Sequence, residues 1–132
     1  MEVLKEHKGL REIETSGKPF VAAINGTALG GGLELCLSCH YRISLNSTKI
    51  KIGFPEIKAG IFPGAGGTSK SPYILGLQNS LMYILQGIEA RPQKALSDGL
   101  IDLVVDSQEQ MLSKAKEYII NMKNPLQPWD NK

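Results

Sequence analysis

Two glutamates and a run of glycines carry the residue types that acid–base chemistry needs. The stretch Ile24-Asn25-Gly26-Thr27-Ala28-Leu29-Gly30-Gly31-Gly32-Leu33-Glu34 places three consecutive glycines after an apolar run. Glycine there is entropically costly, so it marks a backbone of unusual angles or a place where another molecule comes close. If a helix starts at Gly31 or Gly32, the amides of the Gly30-Gly31-Gly32 turn are unpaired donors at the positive end of its dipole. They could stabilise an oxygen that becomes negative during reaction. Glu34, three residues beyond Gly31, falls about one helical turn further on, beside the same pocket. A second carboxylate, Glu56, follows Pro55, which restricts the direction of its loop. Two carboxylates near one oxyanion site suit the addition or removal of water next to a polarised carbonyl. One would exchange a proton with water and the other with carbon. On residue type alone, a solvated surface acid remains the competing reading for each glutamate.

The elements that must position these groups follow from hydrophobic pattern and turn chemistry. Val3, Leu4, Leu10 and Ile13 stand among charged residues at roughly helical spacing, which predicts a surface helix over residues 3–15. Phe20 to Ile24 is a continuous apolar run between Pro19 and Asn25-Gly26, as expected of a strand buried on both faces. The next helix is expected to run from Gly31 or Gly32 to about His40, followed by a strand at Tyr41–Leu45. Alternation of Lys49, Ile50, Lys51 and Ile52 predicts a half-exposed strand before a second glycine-rich loop, Gly60 to Thr68. That loop lacks the Gly-Lys-Ser/Thr of a phosphate loop, and no G-x-G-x-x-G occurs. On pattern alone it could simply cap a helix. Helices are then expected at 69–75, 78–86 and, with Pro92 near its first position and Gly99 after its last, between those two residues. A strand is predicted at 100–105. Ser107 and Gln110 form a capping box for a last helix through Met122, whose Met111, Ala115, Tyr118, Ile119 and Met122 make a packing stripe. Residues 124–132, Asn-Pro-Leu-Gln-Pro-Trp-Asp-Asn-Lys, read as an extended, linker-like tail.

Composition narrows the function classes. The chain has 132 residues, 42% of them hydrophobic, enough for one modest core and too few for two ordinary domains. Net charge is only +2 with the basic residues interspersed, which argues against a nucleic-acid or membrane-surface partner and leaves room for a small polyanionic ligand. No apolar run approaches the roughly 20 residues of a membrane span, and the first 18 residues lack a signal-peptide core. The chain therefore reads as cytoplasmic. Cys36, Cys39 and His40 spell C-x-x-C-H, the string of c-type haem attachment. Its place on an amphipathic helix, with Leu33, Cys36, Leu37 and His40 on one face, favours packed thiols over haem, a redox pair or zinc. No metal site is assigned.

The runs KPFVAAINGTALGGGLEL, GFPEIKAGIFPGAGGT and ALSDGLIDLVV resemble, in order and spacing, the crotonase (enoyl-CoA hydratase/isomerase) superfamily over about residues 10–122. The resemblance implies an α/β fold, a partial crotonase-type ββα spiral core with a helical C-terminal part, occupying residues 1–123. It implies an acyl-CoA thioester substrate and an oxyanion hole around the thioester carbonyl. By motif position, Gly31 gives one oxyanion amide, Glu34 activates water and Glu56 exchanges the proton at the α-carbon. Gly30, Gly32, Pro63 and Gly64 line the substrate site. Possession of both acids favours a hydratase, converting trans-2-enoyl-CoA and water to 3-hydroxyacyl-CoA in fatty-acid β-oxidation, with double-bond isomerisation through Glu56 as a companion reaction. No cofactor is implied, NAD entering only with a downstream dehydrogenase domain. A homo-oligomer or β-oxidation complex is expected of the full-length protein.

Two departures qualify this reading. The A-G-A-D-like loop that gives the family its second oxyanion amide has no counterpart before Lys18, so the chain is expected to be truncated at its start. An incomplete fragment that binds acyl-CoA without turnover is the alternative function. The family's GGTQRLPR is here Gly66-Gly67-Thr68-Ser69-Lys70-Ser71-Pro72-Tyr73, with Lys70 and Tyr73 where arginines are usual. An ammonium is a poorer bidentate clamp than a guanidinium.

Overall fold

Among the described residues, six short strands divide into two small sheets, with the helices packed around them. The structure is a computed structural model that describes residues 2–131. In chain order the elements are α1 (Glu2–Thr15), β1 (Val21–Ile24), β2 (Ala28–Leu29), α2 (Gly31–Ser38), β3 (Tyr41–Leu45) and β4 (Ile52–Gly53). A 3-10 turn (Pro55–Ala59), α3 (Gly67–Leu75), α4 (Leu77–Gln86), β5 (Glu89–Ala90), α5 (Pro92–Asp98), β6 (Leu103–Val105), α6 (Gln108–Asn121) and a second 3-10 turn (Pro128–Asp130) complete the described chain.

The first sheet has the order β1-β3-β6 and is parallel throughout, with Val21 opposite Tyr41 and Ile43 opposite Leu103. The second has the order β2-β4-β5, with Ala28 parallel to Ile52 and Ile52 antiparallel to Ala90. Each parallel pair needs a crossover, and α2 is the crossover from β1 to β3. Its Leu33 and Leu37 are completely buried in the main core with Ile24, Ile52, Phe54 and Leu100. Burial of each such leucine contributes about 2 kcal/mol, which fixes the helix carrying Glu34 against both sheets. A smaller cluster of Ile43, Val105, Met111 and Ala115 packs α6 onto the first sheet.

Several expectations shift. The strand predicted at 49–52 is only Ile52–Gly53, although the alternation is real: Ile50 and Ile52 are buried, and the two lysines exposed. Leu100 and Ile101 lie buried in a turn before β6, because core burial does not require strand pairing. Ser107 Oγ accepts from the Gln110 amide at 3.1 Å, but the Gln110 side chain returns to the Asp106 amide instead of that of Ser107. Ile119 leaves the expected packing stripe and is 43% exposed. The tail is not simply extended. Gln127 is buried and its amide donates to the carbonyls of Ser38 and Cys39 at 3.0 and 3.2 Å, so this segment caps the C-terminal end of α2.

Candidate active site

Glycine geometry builds the turn that carries the first carboxylate. Gly30 caps α2 with φ of 57° and ψ of −126°, angles that a side chain would strain. Its amide donates to the Gly53 carbonyl at 3.0 Å, tying the turn to β4, and its carbonyl accepts from Glu34 at 3.0 Å to start the helix. Gly31 and Gly32 occupy the first helical positions, where no carbonyl lies one turn back. Both are exposed, and no described residue accepts from their amides. Of the three glycines read as a donor turn, Gly30 thus serves the sheet, while Gly31 and Gly32 can still face a ligand.

Glu34 is almost fully buried, at 3% exposure, and is held by the second glycine-rich loop. The amides of Ala65 and Gly67 both donate to its Oε1 at 2.8 Å. Gly67 is the first residue of α3, so the carboxylate sits at a helix N-terminus, an arrangement that favours an anion. Oε2 has no donor among the described residues and is the oxygen left to accept from water. Sequence reasoning missed Ala65 and Gly67, although a glycine pair opening a helix is the signal for amides that hold an anion. A Cβ at Gly67 would stand 2.8 Å from Phe54 Cε1, 2.9 Å from Glu34 Oε1 and 2.9 Å from Pro63 Cβ. Pro63 thus borders the space beside Gly67 that the Glu34 carboxylate also borders.

Glu56 meets the same turn at Gly30. It lies in the first 3-10 turn, which Pro55 opens and Gly60 closes. Its Oε1 would be 2.8 Å from a Cβ on Gly30, so the carboxylate rests on the bare Cα of the glycine that caps the Glu34 helix. Its Oε2 is buried without a hydrogen-bond partner among the described residues. Burial raises the Glu56 pKa above the usual carboxylate range, and the nearby Glu34 charge pushes in the same direction, against a lowering backbone hydrogen bond. One carboxylate thus accepts two amides while the other is driven toward its protonated form, a division suited to base and acid roles.

The remaining candidates separate. Gly64 is exposed at the rim, and its carbonyl accepts from His7 Nε2 at 2.6 Å, fastening α1 to the loop. Cys36 and Cys39 pack on α2, and burial pushes the Cys36 thiol up to about 11. Both ring nitrogens of His40 are engaged: Nδ1 accepts from the Phe20 amide at 3.0 Å and Nε2 meets the Glu14 carbonyl at 3.1 Å. Lys70 does not clamp a bidentate partner; it pairs with Glu14 at 2.5 Å. Tyr73 is exposed and meets Trp129 edge-on.

Comparison with known proteins bears on this geometry. Residues 3–127 match the sequence profile of the enoyl-CoA hydratase/isomerase family. The fatty acid oxidation complex subunit alpha of Idiomarina loihiensis is 45% identical over 111 residues, covering 84% of this chain and 16% of the relative. That of Pseudomonas putida is 50% identical over 101 residues, 76% of this chain and 14% of the relative. Among solved structures, an enoyl-CoA hydratase from Thermoplasma volcanium superposes with a TM-score of 0.85 at 32% identity, covering 92% of this chain and 48% of that one. One from Bacillus anthracis gives 0.82 at 36%, covering 89% and 45%. The chain therefore spans less than a fifth of these curated relatives and just under half of these structures.

Proposed function

Because the chain belongs to the enoyl-CoA hydratase/isomerase family, we propose that it carries the acid–base machinery of a trans-2-enoyl-CoA hydratase acting in fatty-acid β-oxidation. The observation that supports this most is the pairing of two unlike carboxylates on one glycine turn: Glu34 holding two amides on one oxygen, Glu56 half-buried with its Oε2 enclosed and unpartnered among the described residues.

The reaction follows from those environments. The thioester carbonyl oxygen lies at the Gly31 amide, with Gly30, Gly32, Pro63 and Gly64 around it. Glu34 Oε2 takes a proton from water as the water oxygen bonds to C3 of the enoyl group. Charge collects on the thioester oxygen, and Glu56 gives its proton to C2, completing 3-hydroxyacyl-CoA. Glu34 leaves the cycle with one proton more and Glu56 with one less, and exchange with solvent restores both. No resident cofactor or metal enters these steps. Proton shuttling at carbon by Glu56 alone would move a 3-enoyl double bond into conjugation, the companion isomerisation.

Acyl-CoA is the partner this site would take. Assembly into a homo-oligomer or a β-oxidation complex belongs to the same proposal, as does a cytoplasmic location; among the described residues no helix is long and apolar enough to cross a membrane. A second reading is binding of acyl-CoA without turnover. Hydration of crotonyl-CoA measured beside CoA-thioester binding separates the two. Turnover supports the hydratase, and binding with no turnover supports the second reading.

A further inference from the structure

The chemistry above leaves Glu14 unused, although its side chain is only 1% exposed. Three elements converge on it. Its Oε1 lies 2.5 Å from Lys70 Nζ on α3, and its Oε2 accepts from Arg11 at 2.7 Å on its own helix and from the Trp129 indole of the tail at 3.2 Å. Lys70, with its side chain 14% exposed, also donates to Ser38 Oγ at 2.7 Å. Ser38 is completely buried, and its hydroxyl donates to the backbone carbonyl of Glu34 at 3.2 Å. Lys70 stands three residues beyond Gly67, whose amide holds the Glu34 carboxylate. One ammonium therefore bridges the helix that carries Glu34 and the helix whose first amide fixes that residue's side chain.

We propose that Glu14 and Lys70 form a positioning pair for Glu34, locking α2 to α3 through Ser38 so that the Ala65 and Gly67 amides stay on one carboxylate oxygen. The role assigned to Glu34 rests on the hydratase reading; the mechanical link does not. Long charged side chains are seldom buried unless paired, and removing one partner strands the other charge in a poorly solvated place. Loosening should therefore start at this joint, ahead of the sheet core.

Residue-resolved amide exchange on the 132-residue chain tests this without substrate. In Glu14→Gln and Lys70→Met, the Ala65 and Gly67 amides should exchange at least ~10-fold faster, while the Ile43 and Ser44 amides of β3 keep their protection. Should either variant fail to fold, Ser38→Ala deletes the bridge without stranding a charge and carries the same expectation at Ala65 and Gly67. Unchanged protection at Ala65 and Gly67, or equal loosening of those amides and β3, would overturn the proposal. In a turnover assay, Glu14→Gln should lower kcat by more than it changes KM. An unsubstituted chain without crotonyl-CoA turnover counts against the hydratase reading alone, because the exchange pattern is read in its absence.

Discussion

Gly67 donates its amide to Glu34 Oε1 at 2.8 Å, and a Cβ on the same glycine would come within 2.9 Å of that oxygen. The donor is in place because it has no side chain. Gly67→Ala must therefore displace the carboxylate or the Phe54 and Pro63 side chains that share the space. Crowding of this kind costs about 1–3 kcal/mol. The expected outcome is a lower midpoint in urea unfolding together with loss of any hydratase activity. An alanine variant of unchanged stability and rate would mean that the Ala65–Gly67 loop does not constrain Glu34.

Glu56 gives stability a pH dependence of definite sign. Its folded-state pKa lies above the ordinary 4.5, chiefly through burial. Between those two values the folded chain binds more protons than the unfolded chain, so this residue's contribution to stability falls as pH rises. Glu56→Gln removes the ionisation. The variant should melt at a higher temperature than the unsubstituted chain at pH 7, and the difference should vanish near pH 4. An equal or lower melting temperature at pH 7 would mean that the unpartnered oxygen is solvated in solution.

Much of this arrangement is legible in the residues. Gly31, Glu34 and Glu56 stand in motifs whose turn chemistry places them at the ends of short elements, and the structure sets Glu56 against Gly30, the glycine that caps the Glu34 helix. The crossover helix from β1 to β3 follows from one apolar run, one glycine turn and one amphipathic stripe, although the run is not buried on both faces: β1 is an edge strand, with Phe20 and Ala23 exposed. What the pattern hides is contact between distant segments. Ala65 carries no signal as a partner of Glu34, since any residue supplies an amide. Glu14 reads as an ordinary acid in a charged helix, and only the fold reveals Lys70 and Trp129 against it. The two-residue strands β2, β4 and β5 are too short for any period to register.

The tail supplies a third prediction. Gln127 is 2% exposed and its side-chain amide caps the carbonyls of Ser38 and Cys39. Gln127→Ala takes this donor from the buried Ser38 carbonyl, at a cost of about 1–3 kcal/mol, while the Cys39 carbonyl keeps the Arg42 guanidinium at 2.9 Å. Thermal unfolding checks the loss. A neutral result would indicate that residues 124–131 detach in solution as a linker would.

The cysteines should be slow to react. Burial pushes the Cys36 thiol up to about 11 from its ordinary 9.0, and raises Cys39 as well. At neutral pH, Cys36 then has about 100-fold less thiolate than a free cysteine of ordinary pKa, and the thiolate is the nucleophile. Alkylation by iodoacetamide in the folded chain should be correspondingly slow and accelerate on unfolding. Rapid labelling of the folded chain would revive a redox role for the pair.

Crotonyl-CoA hydration by Glu34→Gln and Glu56→Gln, compared with the unsubstituted sequence in the same chain, bears on the central claim most directly. If Glu34 activates water and Glu56 delivers the proton to carbon, each substitution lowers kcat by at least ~100-fold. A near-normal rate in either variant would contradict the assignment of the two carboxylates.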